Sequence, residues 1–344
     1  MTDWTWVLTP LLVLPIVLLF RFLGCGDQLP EDQPLAARPN YRDFILGKLT
    51  GLKAGDVKNT QSSALPKAAD VIGYWRLIEP GTKKVTGDIS TQVTKAKDEN
   101  LFQDGTYIEV HGPPNPPYPF EAPDSLAPNS PGSEQAPGTF EFNQPGLIVT
   151  DAAAKCRKYN GGYVLIPSKP GLFTDEFTIE AWVDVQWNPT PKFDHVLFDC
   201  VGRYALPTET NEFYRGFRIF ADGGNHWQVF VPPTTVVFKS PPLVPRGTPT
   251  HVAVSFAKGA NPGERRASLF VNGKLAAGPE LVPFYLTPEK SPLIIGAANE
   301  EPKPTNARRM RKPILSSIQE VVLHRTALTP EAIENHFDLN RENT

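Results

Sequence analysis

The chain has 344 residues, 40% of them hydrophobic, and a formal net charge of −3. That length fits one large all-β domain with a tail, or two smaller domains, and the near-balanced charge gives no basis for nucleic-acid binding by the chain as a whole. Its 37 prolines disfavour long helices and favour short strands joined by rigid loops.

Trp4 to Phe20 is an almost uninterrupted apolar run. Counted through Gly24, it approaches the ~20 residues that cross a bilayer. Residues 1–26 therefore read as a signal or anchor segment. Leu23-Gly24-Cys25 resembles the end of a bacterial lipoprotein signal, which would leave Cys25 acylated. Two features depart from that pattern: Phe22 stands where a small aliphatic residue is usual, and no Lys or Arg precedes the run. The other reading is an uncleaved transmembrane helix, with Arg21 after it placing the C-terminal domain in the cytoplasm. The chain is expected to be membrane-anchored, and on the lipoprotein reading exported to a bacterial cell surface or periplasm.

The three cysteines are Cys25, Cys156 and Cys200. If Cys25 is lipidated, an even pair remains, and a Cys156–Cys200 disulfide would suit an exported protein. Two buried free thiols are the alternative.

Residues 27–67 read as a polar spacer. A short amphipathic piece, Tyr41 to Leu52, interrupts it as a docking turn or a short helix packed on the main domain. Ala69 to Leu77 is an opening strand with an aromatic on each face, and Asp104-Gly105 turns into a second, Thr106 to Val110. Gly112 to Pro145 holds ten prolines and no apolar periodicity, so 112–146 reads as a long insertion loop.

From Gly146 turn signals recur every eight to twelve residues, the spacing of a β-sandwich or jelly roll. Ala153 to Tyr159 and Tyr163 to Pro167 flank a turn at Asn160-Gly161-Gly162. In Asp175 to Trp187, Phe177, Ile179, Ala181, Val183 and Val185 form an apolar face, and Glu176, Thr178, Glu180, Trp182 and Asp184 the other. His195 to Gly202 is a strand, and Gly216 to Ala221 and His226 to Val231 pair across Asp222 to Asn225. Thr250 to Phe256 alternates, Ala267 to Val271 follows, and Asn272-Gly273 supplies the two φ > 0 residues of a type I′ hairpin turn. Pro292 to Ala297 and Ser317 to His324 complete the strands. Thr329-Pro330-Glu331 opens a short helix with an N-cap, a proline at its first position and an acid in its first turn.

The ordered pieces GGYVLIP, FTIEAWV, THVAVSF, LFVNGKL, PLIIGA and SIQEVVLHRTALTPEAI, after a YW opening strand and DGTY, resemble the LamG-like jelly-roll domain of the concanavalin A-like lectin/glucanase superfamily. The resemblance covers Ala69 to Phe337 apart from the proline-rich insertion. It implies an all-β fold of two antiparallel sheets packed face to face, with the domain at 68–338 and a tail at 339–344. The alternation above independently supports that architecture.

Glucanases of that superfamily carry carboxylates at alternate positions of one strand, about 5 Å apart as retaining hydrolysis requires. Here the comparable pair, Glu180 and Asp184, is four residues apart on a strand, or ~13 Å. The six histidines show no HExxH or HxH spacing, and His251 at a strand start reads as structural. No G-x-S-x-G, Cys-x-x-Cys or phosphate loop is present. The chain is therefore expected not to be an enzyme.

LamG-like domains bind glycans or proteins from loops at the sandwich rim, some with calcium. Asp222 and Asn225 offer oxygens on a loop beside Trp227, whose ring would stack on a sugar; the other reading is a plain hairpin turn with an aromatic on its strand. Asn299, Glu300 and Glu301 form a second oxygen-rich loop. Neither alone supplies the six to eight oxygens that calcium takes. Glu180, Trp182 and Asp184 would line a concave glycan face if they were open, whereas packing is the other role for Trp182. Arg308, Arg309, Arg311 and Lys312 form a basic cluster that suits acidic glycans, lipid headgroups or a partner. The expected role is recognition of a polysaccharide or a surface protein, as in adhesion. A structural part of the cell envelope or an appendage is the alternative, and glycoside hydrolysis a more distant one.

Overall fold

The computed structural model describes residues 41–46, 70–79, 95–108, 139–148, 155–160, 162–185, 194–204, 213–222, 224, 226–232, 238–240, 247–284, 292–299, 310–311 and 314–340. The apolar run, Cys25 and the body of the insertion lie outside them. Within the described residues no helix is long and apolar enough to cross a membrane. All described residues belong to one compact unit that begins at Pro39.

In chain order the elements are α1 (Tyr41–Ile45), β1 (Val71–Trp75), β2 (Lys95–Ala96), β3 (Gly105–Ile108), β4 (Thr139–Pro145), β5 (Lys155–Asn160) and β6 (Tyr163–Ile166). Then come β7 (Phe177–Val185), β8 (His195–Asp199), β9 (Gly202–Tyr204), β10 (Phe213–Arg215), β11 (Arg218–Ala221), β12 (Trp227–Phe230) and β13 (Phe238–Lys239). The last are β14 (Thr250–Lys258), β15 (Glu264–Val271), β16 (Lys274–Pro283), β17 (Leu293–Ile295), β18 (Ala298–Asn299), β19 (Met310–Arg311), β20 (Leu315–His324) and α2 (Pro330–Asn340).

The front sheet runs β16-β15-β14-β7-β20-β5-β4, with β1 also paired to β20. The back sheet runs β13-β12-β11-β8-β17-β6-β3-β2, and every pairing in both sheets is antiparallel. This is the two-sheet sandwich that the alternation and the resemblance imply. Phe177, Ile179, Ala181 and Val183 of β7 meet Ile166, Leu197, Ile219, Val229 and Ile295 of the back sheet in one buried core. Asn272 and Gly273 take φ of 51° and 76° between β15 and β16, the left-handed pair that a type I′ turn requires.

Two expectations are corrected. Thr139–Pro145 is a strand at the edge of the front sheet, not loop. No proline interrupts it before its last residue, and Phe140 packs edge-on against Tyr107 and Tyr159. Second, Cys200 is a buried free thiol. Its Sγ accepts the Phe217 amide at 3.3 Å, so the expected Cys156–Cys200 disulfide is not formed at Cys200. Burial pushes that thiol well above its ordinary range, the Phe217 amide opposing. The short helix expected to pack on the main domain is present: Tyr41 and Ile45 of α1, with Leu46, are buried against Val71, Tyr74, Val322 and Leu339.

The outer face of the front sheet is covered by the chain's own ends. The Thr329 hydroxyl accepts the Ala332 amide at the start of α2, as an N-cap does. Ile333 and Phe337 then pack down onto the sheet beside Ala253, Phe270 and Trp182. Thr178 anchors the approach, donating to Thr326 O at 3.0 Å and accepting Leu328 N at 2.8 Å.

Candidate functional site

The polar residues of β7 face this covered side. In register, β14 pairs His251 with Trp182 and Ala253 with Glu180, while β20 pairs Val322 with Glu180 and His324 with Thr178. His251 and His324 are thus diagonal neighbours of Glu180 from opposite flanks, a spacing that long side chains bridge. α2 lowers His336 onto the same carboxylate from above.

The result is a sealed cluster. Oε1 of Glu180 lies 2.8 Å from His336 Nδ1 and 2.9 Å from His324 Nε2, and accepts the Tyr41 hydroxyl at 3.3 Å. Oε2 lies 3.2 Å from His251 Nε2. All five residues are 0% exposed. Burial alone would raise the Glu180 carboxyl, but His336 and His324 beside it, with the hydrogen bonds from His251 and His324, hold it well below the usual carboxylate range. Burial lowers the His324 imidazole, Glu180 opposing.

A second buried carboxylate adjoins it. Glu320 sits in a bulge of β20 at φ 54°, a conformation that a non-glycine residue adopts only when its surroundings enforce it. Its carboxylate accepts the Tyr74 hydroxyl and lies 3.2 Å from Arg76 Nε. Burial raises its carboxyl against the opposing Arg76 guanidinium. Gln319 donates to it and accepts Leu147 N at 2.7 Å.

These shifts give stability a definite pH dependence. An imidazole lowered on folding is protonated first in the unfolded chain, so His324 contributes fully above about pH 6.5 and less as pH falls below it. Glu180, lowered on folding, contributes fully above about pH 4.5 and is lost as pH falls towards its folded value. Glu320, raised on folding, acts in the opposite sense and regains some stability as it protonates. Between about pH 7 and 5 Glu180 is charged in both states, so His324 and Glu320 act there in opposite senses; below about pH 4.5 the contribution of Glu180 is lost, and Tm is expected to fall steeply. Calorimetric scans from about pH 8 to 3 check it, and a Tm that is flat or rises from about pH 5 to 3 contradicts it.

The residues singled out in the sequence do not converge. Glu180 and Trp182 are on one face, but that face is closed: Trp182 is 3% exposed and stacks on Phe337 at 5.7 Å. Asp184 is half-buried further along β7. The three therefore form no open glycan surface. Trp227 is 1% exposed in the inter-sheet core and offers no ring face to a sugar. Asp222 serves its hairpin: one oxygen accepts the Gly224 and His226 amides at 2.9 Å each, the other the Gln228 side-chain amide and the Lys239 ammonium, the latter at 2.7 Å. Burial raises that carboxyl, but Lys239 and the two amides outweigh it and leave it lowered. Donors, one of them cationic, face both oxygens, so Asp222 is engaged within its own hairpin. Asn299 lies on β18, while Asn225, Glu300, Glu301, Arg308, Arg309 and Lys312 lie outside the described residues.

Two features escaped the sequence reading. One is the Glu180 cluster. The other is Tyr214, 48% exposed on the two-stranded ribbon β9–β10 that links β8 to β11.

A laminin-G family model, described as the Concanavalin A-like lectin/glucanases superfamily, matches residues 158–334. The chain belongs to the concanavalin A-like lectin/glucanase superfamily. No curated protein sequence matches it significantly. Among solved structures, Trypanosoma rangeli sialidase in complex with a 2,3-difluoro-KDN ligand is similar at 14% identity and a TM-score of 0.48, over 86% of this chain and 37% of that one. Domain 4 of AbnA, an extracellular arabinanase from Geobacillus stearothermophilus, in complex with arabinotriose, is similar at 14% identity and a TM-score of 0.38, over 79% and 98%. The binding domain of Paraclostridial Mosquitocidal Protein 1 is similar at 13% identity and a TM-score of 0.36, over 58% and 47%. The chain spans little more than a third of the sialidase it resembles. Superfamily membership fixes the sandwich and leaves both lectin and hydrolase chemistry open.

Proposed function

We propose that this chain is a non-catalytic recognition module, anchored to a bacterial membrane by its N-terminal apolar run, that binds a polysaccharide or a surface protein from the rim of its sandwich. The observation that carries this reading is the burial of Glu180. Glu180, half of the one carboxylate pair comparable to a glucanase's acid and nucleophile, is sealed and tied to three imidazoles. A glycosidic bond has no route to it, and retaining hydrolysis needs two carboxyls at about 5 Å across an open cleft. Tyr214, on the β9–β10 ribbon, offers what recognition needs instead: an exposed ring with a polar tip.

A glycan array probed with the full chain in detergent, with calcium and with a calcium-selective chelator, tests the proposal. Binding to a defined polysaccharide class without release of reducing sugar is expected. Tyr214→Ala is expected to weaken it about tenfold, the worth of one aromatic stack. Sugar release from the bound polysaccharide would overturn the non-catalytic reading. Silence on every glycan, followed by capture of no envelope protein, would overturn recognition itself.

A further inference from the structure

We propose that Glu180, His324 and His336 form a binding site for one divalent transition-metal ion of the zinc class, which clasps α2 to the front sheet. The geometry points there first. Oε1 of Glu180, Nε2 of His324 and Nδ1 of His336 all lie within 4.8 Å of one another. The oxygen-to-nitrogen separations of 2.9 and 2.8 Å approach the edge, about 3.3 Å, of a tetrahedron with zinc–ligand bonds of ~2.0–2.1 Å. The two imidazole centroids are 5.3 Å apart, with both rings presenting a nitrogen to the same oxygen. The ligands come from three elements, β7, β20 and α2, so one ion would join them.

Charge and crowding point the same way. Glu180 is a buried carboxylate, and no Lys or Arg among the described residues faces it. The buried Arg76 is engaged by Glu320. The partners of Glu180, three imidazoles and a hydroxyl, bring no permanent positive charge, and a divalent cation among its ligands would supply one and offset the cost of burial. Oε1 alone also meets three donors, two imidazoles and the Tyr41 hydroxyl, whereas Oε2 meets one. An ion on Oε1 turns the two imidazoles from competing donors into fellow ligands.

The donor set selects the ion. Two imidazoles and one carboxylate suit zinc and its first-row neighbours, whereas calcium and magnesium take oxygens. His251, on the other carboxylate oxygen, holds Glu180 in orientation, the kind of outer contact that tunes affinity. Complete burial makes the ion structural, since a catalytic ion keeps a position open to substrate. The site is separate from the sandwich rim, and its test does not depend on any glycan.

The full chain, purified without added metal, is analysed by inductively coupled plasma mass spectrometry. About one zinc-class ion per chain, retained through dialysis, is expected. After a strong chelator, zinc should raise Tm on the order of 10 °C. Cobalt should give the visible absorption of a tetrahedral N/O site. His336→Ala should abolish both responses, and His251→Ala should keep them with 10–100-fold weaker affinity, a range of about that size being usual for outer contacts. The wild-type titrations decide the matter even if a variant fails to fold. A chelated chain that shows neither a Tm shift with millimolar zinc nor cobalt absorption overturns the proposal, as does metal that dialyses away.

Discussion

Glu180→Ala is expected to destabilise the domain by about 3–5 kcal/mol, the cost of removing one partner from a buried charged network. The carboxylate is the shared acceptor of four side chains from four elements: Tyr41 of α1, His251 of β14, His324 of β20 and His336 of α2. Removing it leaves four polar groups at 0% exposure without their acceptor. A domain with about 5–15 kcal/mol of net stability would lose a large fraction of it. Equilibrium urea unfolding, followed by tryptophan fluorescence, measures the change. Glu180→Gln keeps an acceptor oxygen and the volume, so it should cost less. The loss should also be local before it is global. Amide exchange should rise first in α1 and α2, which the carboxylate holds, and last in the inter-sheet strands. A loss below about 1 kcal/mol, or uniform exchange, would show that the apolar contacts of Phe337, Ile333 and Ile45 hold the ends without it.

How the fold became readable, and the cluster did not, follows from the range of each signal. The sandwich is written in local patterns. Val252, Val254 and Phe256 alternate within one strand, and Asn272-Gly273 marks its own turn. Thr329-Pro330-Glu331 caps its own helix. The Glu180 cluster has no local pattern. His251, His324 and His336 are far apart in the chain and match no ligand motif. They meet only because β14 and β20 flank β7 in one particular register and α2 folds back across it. One signal was available. Ile333, His336 and Phe337 share one face of the tail helix at spacings of three and four, so that face needed a sheet to cover. The even-numbered face of β7, with Thr178, Glu180 and Trp182, was the candidate surface. Of the two roles the sequence left open, Trp182 takes packing, and Glu180 is sealed beside it. Trp227 likewise takes the plainer of its two roles. Its neighbour Asp222 belongs to a turn, but the strand's alternation turns Trp227 inward with Val229. The strand at Thr139–Pro145 was hidden by prolines that crowd the residues before it.

The cluster also changes what the N-terminal segment means for the domain. Tyr41 is the first described residue, and its ring lies edge-on to His336 at 6.4 Å while its hydroxyl reaches Glu180. Tyr41 of α1 is thus bound into the fold at the site where α2 is bound. Both ends close over one face of the front sheet. Tyr214, on the β9–β10 ribbon, stays exposed.

Phe177→Ala is expected to cost about 3–5 kcal/mol, the usual range for deleting a buried aromatic side chain. Its reason is apolar and lies on the opposite face of the same strand. Phe177 is 0% exposed and stacks on Phe256 with centroids 4.7 Å apart. Phe173, Phe217 and Phe284 close around it at 5.4, 5.5 and 5.6 Å. Those rings come from the loop before β7, from β14, from the turn into β11 and from the end of β16, so the cluster ties the two sheets together near one end of the core. Truncation removes contacts with all four and leaves a cavity that rigid strands on both sides cannot collapse. Phe177→Leu keeps most of the volume and should cost roughly 1.5 kcal/mol or less. Leu275→Ala, at a side chain 49% exposed on β16, should fall within about 0.5 kcal/mol of wild type. Urea unfolding of the three variants orders them. If Phe177→Ala unfolded within about 1 kcal/mol of wild type, the aromatic cluster would not be where the sheets are held. Comparison with Glu180→Ala then separates the two faces of β7: loss of Phe177 should open the sandwich as a unit, while loss of Glu180 should first release its ends.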